Sequence, residues 1–250
     1  MKIPQLRKKL EIKSCHNINW EDNYSWVHQE NILEVLKDAN KLLPEVREYL
    51  IQENKYTDFQ LKDTSQIQKT LFEEIKGRIK LNDESLKYKD KNYEYWTKTT
   101  AKGNYSIKLR KKIGTDDIEE IWNGDEEKKK LNTNYFGIGD LEVSFNDKYL
   151  AYSLDTKGSE YFTIHVRDIE TNTLVTEKIE DTSGSIMFSL DDKFIFYSKL
   201  DENHRPRKIF RHQIGKPIKD DILIFEEKTK AFTVGVGLTS DEKYYLITSS

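Results

Sequence analysis

Cysteine is almost absent. The 250 residues hold one, Cys15, so no disulfide can form within the chain and a small disulfide-stapled secreted scaffold is excluded. No apolar run approaches the roughly 18 residues that a spanning helix needs, and Met1-Lys-Ile-Pro4 lacks the apolar core of a signal peptide. The simplest reading is a cytoplasmic protein with no membrane partner. An excess of one charge is missing too: 41 Lys and Arg stand against 44 Asp and Glu, a net charge of -3. That balance gives no basic footprint for nucleic acid or an anionic membrane.

The signatures of chemistry are equally scarce. There is no G-x-S-x-G, so the strained elbow that presents a serine nucleophile is not encoded here. Gly137-Ile-Gly139 and Gly235-Val-Gly237 do not complete G-x-G-x-x-G ahead of a helix and read as glycines beside strands rather than phosphate loops. The five histidines, His16, His28, His165, His204 and His212, include no pair at ligand spacing within one helix, so neither a metal nor a cofactor is expected. Cys15 and His16 are neighbours in sequence and rarely would point at each other; a structural or exposed thiol is the reading preferred over a catalytic pair.

What the chain does contain is a repeat. Ser144-Phe-Asn-Asp-Lys-Tyr-Leu-Ala-Tyr-Ser153 returns as Ser189-Leu-Asp-Asp-Lys-Phe-Ile-Phe-Tyr-Ser198 and as Thr239-Ser-Asp-Glu-Lys-Tyr-Tyr-Leu-Ile-Thr248, at steps of 189 − 144 = 45 and 239 − 189 = 50 residues. A polar turn feeding a short aromatic and aliphatic run, at a period of roughly 40 to 50 residues with several strands per period, indicates propeller blades. Tyr161 to Arg167 alternates Phe162, Ile164 and Val166 with Thr163, His165 and Arg167, the pattern of a half-buried strand. Leu174 to Ile179, Lys208 to Ile214 and Ile222 to Phe225 read as further strands. A weaker copy starts at Asp90, with strands to Thr97, from Tyr105 to Arg110 and from Ile118 to Trp122. Asp125 to Lys130 reads as a solvated loop. The count is about three blades and the start of a fourth.

Ahead of the blades the period becomes helical. Pro44 suits a first helical position and opens a helix to about residue 56. Asp63-Thr64-Ser65 caps a second, with Ile67, Leu71, Ile75 and Ile79 on one face and Gly77 near its fraying end. An earlier helix is expected from about Glu30 to Leu42. The expected fold is therefore mainly β, a partial β-propeller over residues 83–250 preceded by an α-helical and irregular N-terminal segment over 1–82. The four tryptophans, Trp20, Trp26, Trp96 and Trp122, read as core, with a recognition platform as the rival. Arg205, Arg207 and Arg211 read as partners of nearby carboxylates, with an acidic binding partner as the rival.

These residues also carry a family resemblance. Glu21-Asp-Asn-Tyr-Ser-Trp26, Pro44-Glu-Val-Arg-Glu-Tyr-Leu50, Glu74-Ile-Lys-Gly-Arg-Ile-Lys80, Leu150-Ala-Tyr-Ser-Leu-Asp-Thr-Lys-Gly158 and Leu200-Asp-Glu-Asn-His-Arg-Pro-Arg207 follow in order. With Phe210-Arg-His-Gln-Ile-Gly215 and Val234-Gly-Val-Gly237 they make the chain similar, from about residue 16 onward, to the N-terminal part of oligopeptidase B in the prolyl oligopeptidase family of serine peptidases. The resemblance implies a seven-bladed propeller that caps an α/β-hydrolase domain carrying a Ser-Asp-His triad. It further implies cleavage of short peptides after Arg or Lys, with the propeller restricting substrate size. No position here matches a triad residue, so the 250 residues alone are expected to be inactive, and the implied partners are the catalytic domain and, through it, short peptides. Glu160, in Asp155-Thr-x-Gly-x-Glu160, resembles an acidic family position that bridges propeller and catalytic domain, the rival being an exposed carboxylate at a strand start. A stand-alone propeller-type binding module without chemistry is the competing function.

Overall fold

The computed structural model describes residues 1–250 as two units, Met1–Lys80 and Leu81–Ser250. The first unit opens on a hairpin, β1 (Glu11–Cys15) and β2 (Ile18–Asp22). Its two-residue turn, His16-Asn17, has φ of 50° and 63°, the doubly left-handed geometry that matches strand twist. Then come α1 (Ile32–Lys37), α2 (Pro44–Leu61) and α3 (Ser65–Gly77). An α-helical N-terminal segment is therefore a correction: the helices follow an extended stretch and a hairpin.

The helix expected over Glu30 to Leu42 is also corrected, because it breaks at Asp38. There the backbone turns extended and the side chain accepts from Asn40 N–H to start a 3-10 turn over Ala39–Lys41. Pro44 occupies the first turn of α2, as expected. Thr64 does not cap α3; its hydroxyl donates back to the Leu61 carbonyl at 2.7 Å.

The second unit is almost wholly β. Its strands are β3 (Asp83–Glu84), β4 (Tyr88–Asp90), β5 (Tyr93–Thr99), β6 (Ile107–Lys112) and β7 (Ile118–Asn123). After α4 (Gly124–Leu131) follow β8 (Gly137–Val143), β9 (Tyr149–Asp155), β10 (Phe162–Asp168), β11 (Ile179–Phe188), β12 (Phe194–Leu200), β13 (Pro206–Gln213) and β14 (Ile222–Glu226). A final pair is β15 (Val234–Leu238) and β16 (Tyr245–Ser249). The pairing is antiparallel throughout: β3-β5-β6-β7 with β4 also on β5, then a run from β8 to β14, then β15-β16. No sheet closes on itself.

β11 belongs to two strand sets. Its first half pairs with β10, Thr182 opposite Phe162 and Ile179 opposite Ile164, while Ile186 to Phe188 pair with Tyr197 to Ile195 of β12. Between the halves Gly184 adopts a φ of 93°, and a side chain there would meet the Phe162 ring at 2.9 Å. Glycine is required on both counts.

The repeat folds the same way three times. Ser144, Ser189 and Thr239 each donate their amide across the turn, to the carbonyls of Tyr149, Phe194 and Tyr244. Each hydroxyl donates to the acid or amide two residues on and accepts the same returning residue's amide, at 2.8, 3.0 and 3.1 Å respectively. A hydroxyl is the group that serves as donor and acceptor at once. The fourth position is left-handed in all three, at Asp147, Asp192 and Glu242.

Successive turns are then stitched together. The Asp192 carboxylate accepts Phe145 N–H and Asn146 N–H of the preceding turn, both at 2.7 Å, and Asp147 accepts Tyr95 O–H and Asn92 N–H from β5 and the turn before it. At the third turn a Glu stands in the Asp position, and the Leu190 amide goes to the Tyr245 hydroxyl instead.

Two apolar clusters fill the second unit. One centres on Ala151, Ile164, Val166, Ile179 and Ile195, none of them exposed, and the other on Trp122, Phe136, Leu150, Tyr152 and Leu154. Each fully buried large side chain contributes about 1.5–3 kcal/mol relative to exposure.

Three sequence expectations are corrected here. Leu174 to Ile179 is not a strand; Leu174 makes one isolated bridge to Arg167 and β11 starts at Ile179. β10 is not half-buried, because His165 and Arg167 on its polar face are buried along with Ile164 and Val166 on the other. Asp125 to Lys130 is not a loop but most of α4. The Asn123 side chain caps that helix at Glu126 N–H, three acids fill its first turn and three lysines its last, the order that the helix dipole favours.

Candidate functional site

Two arginines on strands, Arg167 on the polar face that alternation gives β10 and Arg110 on β6, are buried. On β10 the Arg167 guanidinium donates to Glu127 Oε1 of α4 at 2.8 Å and to the Ile121 carbonyl of β7 at 2.6 Å, and it lies over the rings of Trp122 and Tyr152. On β6 Arg110 donates to Glu119 at 2.7 Å and to the Asp147 carbonyl at 2.5 Å, with its guanidinium 4.2 Å from the Tyr93 ring centre. A planar fork with aromatic stacking is arginine chemistry that lysine does not reproduce. Arg167 lines a cavity of about 300 Å³ and Arg110 a groove of about 550 Å³, which share Glu120, Ile121 and Ile169. Both guanidinium groups are committed to protein partners, so these recesses are seams between strand sets.

Beside Arg167, the His165 ring stacks on Tyr152 at 5.0 Å. Burial, with Lys178 nearby, depresses its pKa to about 4, and burial pushes Tyr152 up to about 12. His212 Nδ1 lies 2.6 Å from Asp221, which also accepts Tyr197 O–H at 2.7 Å. An Asp-His pair resembles half of a catalytic relay, but His212 is wholly buried and no substrate reaches it.

A second kind of polar turn lies at the end of β9 away from the repeated turn. There the Asp155 carboxylate, 2% exposed, accepts the amides of Lys157 at 2.8 Å, Gly158 at 3.0 Å and Glu160 at 2.8 Å. The loop is thereby fixed, with Gly158 and Glu160 both left-handed and the Glu160 side chain exposed. The next strand set repeats the device: Asp201 accepts the amides of Asn203 and Arg205 and the Arg207 guanidinium. Burial opposes ionisation of Asp201, yet those donors hold its carboxyl below the usual range. The two loops touch. His204, itself left-handed at φ 60°, places Nε2 3.1 Å from the Ser159 carbonyl and meets the Tyr161 ring edge to face at 4.5 Å.

The other sequence candidates are placed as follows. Trp96 and Trp122 are core at 2% exposure, whereas Trp20 is 47% exposed. Arg205 donates to the Ala231 carbonyl, Arg207 to Asp201 and the Glu227 carbonyl, and Arg211 lies over the Phe194 ring. Cys15 is exposed at the end of β1. Gly139 and Gly235 lie on β8 and β15; a side chain at Gly139 would collide with Ser153 Oγ, the close approach expected of a strand glycine. No cluster of three metal-ligating side chains is present, and no helix is long and apolar enough to cross a membrane.

Comparison with known proteins agrees with this geometry. Residues 4–250 match the family model of the prolyl oligopeptidase N-terminal beta-propeller domain. Dipeptidyl aminopeptidase BI of Pseudoxanthomonas mexicana is 27% identical over 98% of this chain and 35% of its own, and Protease 2 of Moraxella lacunata is 24% identical over 100% and 36%. Oligopeptidase B from Leishmania major has the same fold at a TM-score of 0.85 and 22% identity, covering 99% of this chain and 36% of that one. Oligopeptidase B from Trypanosoma brucei gives 0.83 and 23%. The chain thus spans about a third of the length of the curated relatives it matches. With a matching family model over nearly its whole length and an open, repeating antiparallel fold, the chain belongs to the prolyl oligopeptidase N-terminal β-propeller family.

Proposed function

We propose that this chain is the propeller side of a cytoplasmic serine oligopeptidase that hydrolyses short peptides after Arg or Lys, the propeller limiting access by size. The observation that carries the reading is the family match over residues 4–250 together with relatives that are peptidases at full length. In this reading the nucleophile, base and oxyanion donors come from an α/β-hydrolase domain elsewhere in the full-length protein, since acyl transfer needs all three held together. The propeller contributes confinement, and Glu160 contributes a carboxylate to the contact between the two parts. No nucleic acid or membrane partner is invoked.

The relationship to a dipeptidyl aminopeptidase favours a second reading, in which free amino termini are recognised and dipeptides released. Full-length protein is incubated with an amino-blocked Arg-Arg fluorogenic peptide, its unblocked counterpart and a folded protein containing the same sequence. Cleavage of the blocked peptide, sparing of the folded protein and labelling by a fluorophosphonate are expected. Cleavage of the unblocked peptide alone establishes the exopeptidase reading, and absence of labelling removes the peptidase reading altogether.

A further inference from the structure

The contact between the two Asp-capped loops joins residues that are 45 positions apart in sequence. Ser159 is 3% exposed, and its carbonyl points at His204 Nε2, which with a proton on that nitrogen is a donor 3.1 Å away. The imidazole is held on its own side by the left-handed backbone of the Asp201 loop, where His204 N–H reaches the Asp201 carbonyl at 3.1 Å. On the other side the Tyr161 ring closes over it. Ser159 and Tyr161 are the two neighbours of Glu160. Asp155 fixes the Glu160 amide from within its loop. His204 holds the residues on either side of Glu160 from the next strand set.

We propose that His204 is a positioning residue for Glu160. It interlocks the loops after β9 and β12 into one rigid ledge that presents the Glu160 carboxylate at a fixed place toward a cationic group of the catalytic domain. The inference rests on the reading of Glu160 as an interdomain contact. A carboxylate on a mobile loop loses ordering entropy each time it engages, and one already held does not. In this role His204 acts through Glu160, by its contacts with Ser159 and Tyr161.

The test uses the full-length protein with His204→Ala, His204→Gln, Glu160→Gln and the double variant Glu160→Gln/His204→Ala. Hydrogen exchange is read at the amides of residues 157–161, and kcat/KM on the amino-blocked Arg-Arg peptide. Exchange in this loop is expected to quicken about tenfold in His204→Ala and to stay near wild type in His204→Gln, whose amide keeps a donor. Glu160→Gln is expected to lower kcat/KM severalfold with exchange unchanged. His204→Ala is expected to lower it in the same direction, and the double variant to be no worse than Glu160→Gln alone, as for two residues acting through one contact. Unchanged exchange in His204→Ala overturns the clamp, whether or not the protein is a peptidase. Additive losses in the double variant, or quickened exchange with unaltered kcat/KM, overturn its action through Glu160. If no variant and not even the wild type cleaves the peptide, the peptidase reading has failed instead, while the exchange data still decide the clamp.

Discussion

Removing Glu127 isolates a buried charge. Its partner Arg167 has a side chain 9% exposed, and Glu127→Ala leaves the guanidinium with the Ile121 carbonyl and two ring faces only. Breaking a buried pair from one side costs about 3–5 kcal/mol, because the remaining ion is neither solvated nor neutralised. The lower figure is the appropriate one here, since the carbonyl and the rings keep part of the compensation. For a unit of this size 1 kcal/mol moves Tm by about 2–4 °C, so the expected drop is roughly 6–12 °C. The assay is thermal unfolding followed by tryptophan fluorescence, to which Trp122 beneath the guanidinium contributes. Replacing both partners, as Glu127→Leu with Arg167→Met, removes the charge along with its partner and should melt closer to wild type than Glu127→Ala does. A Glu127→Ala protein melting within 2 °C of wild type, or a double variant melting below the single, would refute the reasoning.

Three further outcomes are expected. Because His165 titrates near 4 in the fold against an ordinary value near 6.5, the unfolded chain binds the extra proton between those values. Its contribution, on the order of 3 kcal/mol, is therefore present above about pH 6.5 and lost as pH falls towards 4; His165→Phe should flatten the dependence of Tm on pH across that window, and an unaltered slope would exclude this residue as its source. Gly184→Ala combines a left-handed φ with a 2.9 Å approach to Phe162, whereas Gly114→Ala, at φ 87°, meets nothing within 4 Å. The second should cost about 1 kcal/mol and the first clearly more in denaturant unfolding, and equal costs would show that the ring gives way freely. Ser189→Ala removes a hydroxyl that is 4% exposed and closes a turn from both sides, so it should cost about 1–2 kcal/mol, against a smaller loss for Thr239→Ala on the exposed turn. A reversed order would contradict the role assigned to the hydroxyl.

The repeat was legible because its turn chemistry is local. Ser144, Ser189 and Thr239 make their bonds within five residues, so spacing alone located them. The α4 helix was legible in principle, from the Asn123 cap and the acid-to-lysine order, but a run of charges with almost no apolar residue offers no helical period to read. The burial of His165 and Arg167 was not legible. Alternation assigns them to a polar face, and what covers that face is α4 and β7, some 40 residues earlier. The ledge of Asp155 and Asp201 lay half in view, since Leu154-Asp155 and Leu200-Asp201 recur 46 positions apart. The bond from His204 to Ser159 depends on how two strand sets stack, which no single loop encodes.

The double allegiance of β11 governs how this fold comes apart. Between β7 and β8 the chain leaves one sheet and enters another, so the junction there rests on side chains such as Arg167 and on packing. Between β10 and β12 the junction is backbone, one strand whose two halves complete two ladders. Opening either of those ladders frays the shared strand and withdraws an edge from the other. The strand sets on either side of β11 should therefore open as a single cooperative unit, with native-state exchange free energies that match, while β3 to β7 exchange on an independent scale. An architecture built from repeats need not have repeats as its units of stability: here the boundary of cooperative opening falls where the ladder is interrupted, which is not wherever the sequence begins again.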